Sequence, residues 1–154
     1  MLKRTKPPNI NLWNGLGGKI KSPESPFECI QRELFEEAGL TVHPENSDYK
    51  GIVKWNILEN KTVGGTHLFL LHLKDDVHED KSPIIDEGTL AWKPQNWISD
   101  SSNTEIVENI PIFFPYAISS KKPKLFEFNY ISYNQLLDYK IKNLYNLPFD
   151  LKGS

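Results

Sequence analysis

A chain of 154 residues with 38% hydrophobic and 25% charged residues can bury one core and fits a single domain over residues 1–154. Its net charge of −2 offers no basic field for a nucleic-acid polymer, so a polyphosphate ligand must be held by metal and a few local cations. The lone Cys29 excludes a disulfide framework, and no apolar run suits a membrane span or a signal peptide, which predicts a cytoplasmic protein.

The chain starts abruptly. Met1 to Arg4 runs straight into a loop, Thr5-Lys6-Pro7-Pro8-Asn9, leaving room for only the tail of an opening strand. Leu12 to Leu16 is a short extended segment that leads to Gly17-Gly18, where bare backbone lets a ligand approach closely. A helix follows with signals at both ends. Ser25 is a good N-cap, Pro26 suits the first helical position, Glu28 completes a capping box and Gly39 is the stop. Phe27, Ile30, Leu34 and Ala38 have the spacing of a core-facing stripe, and Cys29 reads as packing.

Glu33, Glu36 and Glu37 crowd a second face of that helix at i, i+3 and i+4. Their repulsion calls for a cation, and oxygen-only ligands suit Mg²⁺ or Mn²⁺. Arg32, four residues before Glu36, can hold that carboxylate in place.

Beyond the helix, Thr41-Val42-His43 is expected to begin a strand that breaks at Pro44. Tyr49 to Glu59 alternates as a strand, Asn60 to Thr66 reads as a turn around Gly64-Gly65, and His67 to Leu73 returns as an apolar strand. Asp75 to Glu87 is an acidic loop broken at Pro83, Thr89 to Trp92 a strand, and Pro94 to Ile98 a turn. Thr104 to Tyr116 reads as a helix interrupted by Pro111 and Pro115, and Leu125 to Ser132 with Leu136 to Ile141 as a closing hairpin. His43, His67, His72 and His78 have no zinc spacing, and Lys121-Lys122-Pro123-Lys124 is a solvated basic loop.

Taken together, Gly18, Glu24, Arg32-Glu33-Leu34, Glu36-Glu37 and Gly39-Leu40 form one pattern. Seven of these, leaving aside the aliphatic Leu34 and Leu40, coincide by chance at average usage at roughly 10⁻⁹ per window. The pattern resembles the Nudix box without a departure. The resemblance implies a Nudix α/β/α sandwich, an α/β fold with a mixed β-sheet between helices, its first strand here short or missing. It also implies Mg²⁺-dependent cleavage of a nucleoside diphosphate linked to a further group, with Mn²⁺ as a possible substitute.

By the same resemblance, Glu33, Glu36, Glu37 and the Gly18 carbonyl hold metal, and Arg32 orients the glutamates. Glu87, ahead of a strand carrying Trp92, is similar to an acidic residue that reaches the metal in MutT-type members. That makes Glu87 a candidate ligand or general base, with Glu37 the other candidate base. Trp13-Asn14-Gly15 and the run from Glu108 to Pro115 resemble pocket segments of oxidised-purine nucleoside triphosphatases, in which the position of Asn109 is often acidic.

Asn14, Gly17, Gly18 and Asn109 are then the candidate substrate-binding residues, and a nucleoside triphosphate such as 8-oxo-dGTP the expected substrate. A monomer or homodimer acting without membrane or nucleic-acid polymer is expected. Two rivals stand beside this reading: hydrolysis of ADP-ribose, a dinucleotide polyphosphate or capped RNA, and a non-catalytic nucleotide-binding module. The intact glutamates favour an enzyme over the module.

Overall fold

The computed structural model describes residues 1–74 and 84–145. The expected acidic stretch over 75–83, His78 within it, and residues 146–154 lie outside the described residues. In chain order the elements are β1 (Leu2–Arg4), β2 (Trp13–Asn14), α1 (Pro26–Ala38), β3 (Ser47–Ile57), β4 (Thr62–Leu71), β5 (Ile84–Ile85), β6 (Gly88–Leu90), α2 (Gln95–Ile98), α3 (Ile110–Ser119), β7 (Lys124–Ser132) and β8 (Gln135–Asn143). Among the described residues no helix is long and apolar enough to cross a membrane.

The larger sheet, in the order β4-β3-β7-β8, is mixed: β3 runs parallel to β7 and antiparallel to β4. Alternation along the strands sorts its two faces. Val53, Ile57, Phe126, Phe128 and Tyr130 are buried together on one face, with Ile112 and Phe113 of α3 packed against them. Phe69 falls on the other face, where Phe27 of α1 meets it at 5.9 Å between ring centroids. The mixed sheet therefore lies between α1 and α3, the expected layering.

A second, antiparallel sheet has the order β2-β1-β6-β5. The opening strand is short rather than missing. Its three residues pair on both sides, and Leu2 is fully buried.

Several local expectations give way to tertiary pairing. Gly64-Gly65 is not a turn; both residues lie inside β4, opposite Trp55 and Lys54. A Cβ on Gly64 would sit 2.4 Å from the Trp55 ring, so the glycine makes room for a cross-strand indole. The reversal itself lies earlier, with Lys61 N–H donating to Leu58 O at 3.4 Å.

Thr41-Val42-His43 forms no strand. The Val42 carbonyl accepts a hydrogen bond from Gln31 Nε2 of α1 at 2.9 Å, and the chain enters a 3-10 turn at Pro44–Asn46. The helix expected from Thr104 starts only at Ile110 and runs to Ser119, because residues 105–107 are taken up by a parallel bridge to Trp13. Pro94 to Ile98 contains one helical turn, α2, that buries Ile98. Residues 84–87 are not loop alone: Ile84 and Ile85 pair with Thr89 and Gly88, which makes Asp86-Glu87 the tip of a hairpin.

Candidate active site

The first turn of α1 is built as its sequence dictates. Ser25 N–H donates to Glu28 Oε2 at 2.6 Å and Glu28 N–H donates to Ser25 Oγ at 3.2 Å, while Gly39 closes the other end at φ 66°. Between these caps the buried residues are Pro26, Cys29, Leu34 and Glu37. The expected stripe is thus rotated: Phe27, Ile30 and Ala38 are only half-buried, and the inward face turns toward the glycine loop. Cys29 packs as expected, and burial pushes its thiol up to about 11, too high for a nucleophile at neutral pH.

Among the described residues Glu37 is the one charged residue in the core, at 5% exposure. Gly17 N–H donates to its Oε2 at 3.1 Å, and its Oε1 is buried without a hydrogen-bond partner. Burial, then the neighbouring charges of Glu87 and Glu33, raise its pKa to about 7 against the single lowering effect of the Gly17 bond. Glu87, on its hairpin tip, lines the same cleft as Glu37, and lies 4.0 Å from the Arg4 guanidinium. Glu33, Glu36, Glu37, Ile85, Asp86 and Glu87 line one cleft of about 420 Å³. The acidic residues expected to act together do share this cleft.

Arg32 organises the wall. Its Nε and Nη2 grip both oxygens of Glu24 at 3.0 and 2.7 Å, Nη1 reaches Glu36 at 3.1 Å and Glu33 at 2.5 Å, and Nη2 also donates to Lys19 O at 3.1 Å. The Arg32 pairing, with the Lys21 N–H bond, holds the Glu24 carboxyl down at about 2. This clamp ties the loop after Gly18 to the helix. The expected Arg32–Glu36 contact is present, and Glu33 shares the same guanidinium. Gly18 lies against Glu33 so closely that a Cβ on it would come 2.2 Å from Oε1. Among the described residues, no three of the carboxylates already converge into a coordination shell.

Asn14 and Asn109 are not among the residues lining that cleft. They lie instead on two segments joined by the Trp13–Ile106 bridge, in which Trp13 N–H donates to Glu105 O at 2.8 Å and Val107 N–H to Trp13 O at 3.0 Å. Asn14 Oδ1 accepts from Gly15 N–H at 2.9 Å, so that oxygen stabilises its own turn.

Sequence reasoning missed the burial of Glu37, the place of Asp86 in the cleft and the contact of Arg4 with Glu87. A charged residue one position from a half-buried Ala38 carries no local sign of being inside. Arg4 and Glu87 meet only because β1 pairs with β6.

The family model described as NUDIX domain matches residues 1–108. An oxidized purine nucleoside triphosphate hydrolase of Danio rerio is 26% identical over 135 residues, which span 88% of this chain and 80% of the relative. The crystal structure of the mutator MutT protein from Bacillus halodurans aligns with a TM-score of 0.73 at 24% identity, covering 91% of this chain and 86% of that one. That likeness identifies the α/β fold described above.

Proposed function

The chain belongs to the Nudix family of hydrolases, and on that premise we propose that it hydrolyses a nucleoside triphosphate to the monophosphate and pyrophosphate, with an oxidised purine such as 8-oxo-dGTP preferred. One observation carries the reading: Glu37 Oε1 is buried, has no partner, and belongs to a cleft lined by carboxylates. An unpaired buried carboxylate oxygen is costly, and a divalent cation is the partner that would satisfy it.

The residues present fit such a cation. All side-chain donors around the cleft are carboxylate oxygens, the set that suits Mg²⁺ and, as a substitute, Mn²⁺. The bare Cα of Gly18 leaves open the space beside Glu33 that any side chain would fill. Glu33, Glu36, Glu37 and Glu87, with the Gly18 carbonyl, would hold the ion. When bound, it neutralises phosphate charge and makes water more acidic.

Arg32 acts on Glu33 and Glu36 rather than on substrate, because its guanidinium is already engaged by Glu24 and Lys19 O. Glu37 and Glu87, which line the same cleft, are the groups placed to take the proton of an attacking water. Asn14 and Asn109 would face the base, where an amide offers a donor and an acceptor side by side. The likeness to the Danio rerio hydrolase supports the oxidised purine. The chain is read as one domain over residues 1–154, acting as a monomer or homodimer on free nucleotides in the cytoplasm.

The test is release of pyrophosphate and phosphate from dGTP, 8-oxo-dGTP, ADP-ribose and a diadenosine polyphosphate, each with Mg²⁺ and with chelator. Metal-dependent pyrophosphate from 8-oxo-dGTP, well above dGTP, is the expected result. Preference for ADP-ribose or the dinucleotide would keep the metal residues and discard the base assignment. No turnover of any substrate would favour a nucleotide-binding module.

A further inference from the structure

We propose that Arg4 is a positioning residue for Glu87: the short strand β1 delivers a fixed guanidinium that steadies the Glu87 carboxylate at the edge of the cleft. The proposal rests on the reading of Glu87 as a group that meets the cation.

The three residues of β1 dock closely on β6. Arg4 pairs with Gly88, Thr5 N–H donates to Glu87 O at 3.0 Å, and a Cβ on Gly88 would lie 1.9 Å from Lys3 O. Backbone contacts therefore fix the hairpin tip against β1, with the Arg4 and Glu87 side chains beside one another.

The guanidinium is braced without help from Glu87. Arg4 Nε donates to Pro8 O at 3.0 Å and to Lys6 O at 3.4 Å, and Nη2 donates to Pro7 O at 3.3 Å. Carbonyls orient the group but do not neutralise it, so its charge is left for Glu87, whose Oε2 lies 4.0 Å from Nη1. Among the described residues this is the one ion pair that Arg4 makes. Glu87 needs such a partner. Its side chain is 48% exposed on a hairpin tip, and a loose carboxylate loses rotamer freedom each time it takes up a ligand. Held at Oε2, it keeps Oε1 for the cation or the attacking water.

The cleft then has an arginine behind each wall. Arg32, braced by Glu24 and Lys19 O, sets Glu33 and Glu36 on the helix side. Arg4, braced by three carbonyls, sets Glu87 on the hairpin side. Partners that orient a metal's ligands are worth about tenfold to a hundredfold in metal affinity. A bare positive charge beside the site would act in the opposite sense, because it repels the cation. The sign of the effect therefore separates positioning from charge.

Calorimetric binding of Mn²⁺ without nucleotide reads this effect apart from turnover. Arg4→Gln is expected to weaken Mn²⁺ binding about tenfold. Arg4→Lys keeps the charge and loses the planar fork that the carbonyls brace, so it should weaken binding as well; full affinity in Arg4→Lys overturns the positioning role. In a Glu87→Gln background, Arg4→Gln should have no further effect. A merely structural arginine would lower Tm and weaken Mn²⁺ equally in both backgrounds, which also overturns the proposal. Unchanged or tighter Mn²⁺ binding in Arg4→Gln, where Glu87→Gln weakens it, removes the role of Arg4 alone. Unchanged binding in Glu87→Gln removes Glu87 from the metal site, and the proposal with it.

Discussion

Replacing Glu37 by Gln should stabilise the metal-free protein while abolishing its catalysis. The folded protein holds the Glu37 proton up to about 7, against an ordinary value of 4.5, first because the group is buried and then because Glu87 and Glu33 lie close. Below the ordinary value both folded and unfolded chains are protonated there, and the site costs nothing. Between the two values the unfolded chain has released its proton and the folded one has not, so stability falls as pH rises. Above about 7 the full penalty applies. At about 1.4 kcal/mol for each pKa unit, the shift amounts to about 3 kcal/mol.

Gln is neutral throughout and keeps an oxygen for the Gly17 N–H. In chelator, urea melts at about pH 4 should nearly coincide, and at about pH 8 the variant should be more stable by up to about 3 kcal/mol. For a chain of this size each kcal/mol corresponds to about 2–4 °C in Tm. Added Mg²⁺ should raise the wild-type Tm and leave the variant nearly unmoved. Parallel pH curves for the two proteins would refute the argument, because Glu37 would then carry no burial penalty for a cation to relieve.

Glu36 side-chain exposure is 51%, so Glu36→Gln should leave Tm nearly unchanged and lower turnover by orders of magnitude at saturating Mg²⁺; full activity would remove it from the metal site. Gly18→Ala drives a Cβ to within 2.2 Å of Glu33 Oε1, so it should cut metal-dependent turnover at least about tenfold with a smaller effect on folding. Equal metal titrations for the variant and wild type would count against the open space beside Glu33 as part of the site. Gly64→Ala places a Cβ 2.4 Å from the Trp55 ring, an overpacking of about 1–3 kcal/mol readable as a lowered Tm, with little change in KM.

The helix α1 was legible because its information is local. Ser25, Pro26, Glu28 and Gly39 act within a few residues of one another, and each cap forms as expected. The alternating runs of β3, β7 and β8 were legible for the same reason, since side-chain period is a property of consecutive residues. Gly64-Gly65 misleads because the usual reading of paired glycines is a turn, whereas here Gly64 answers to a tryptophan on another strand. The late start of α3 has a similar origin. Residues 105–107 form part of the contact with Trp13, and that pairing overrides a pattern that looks helical in isolation.

The sequence by itself determined the family, the capped helix that carries the glutamates, and the chemical nature of the donors, because spacing along one helix sets which carboxylates share a face. Tertiary structure alone decided which of those carboxylates is buried. Glu33, Glu36 and Glu37 have the same side-chain chemistry, yet of the three only Glu37 is buried, its carboxylate taken by Gly17 N–H and lining the cleft with Glu87. Glu87 reaches it through a hairpin whose β6 strand is registered on β1, far away in the chain. Charge is encoded residue by residue, but its desolvation and its neighbours exist only once distant segments have packed.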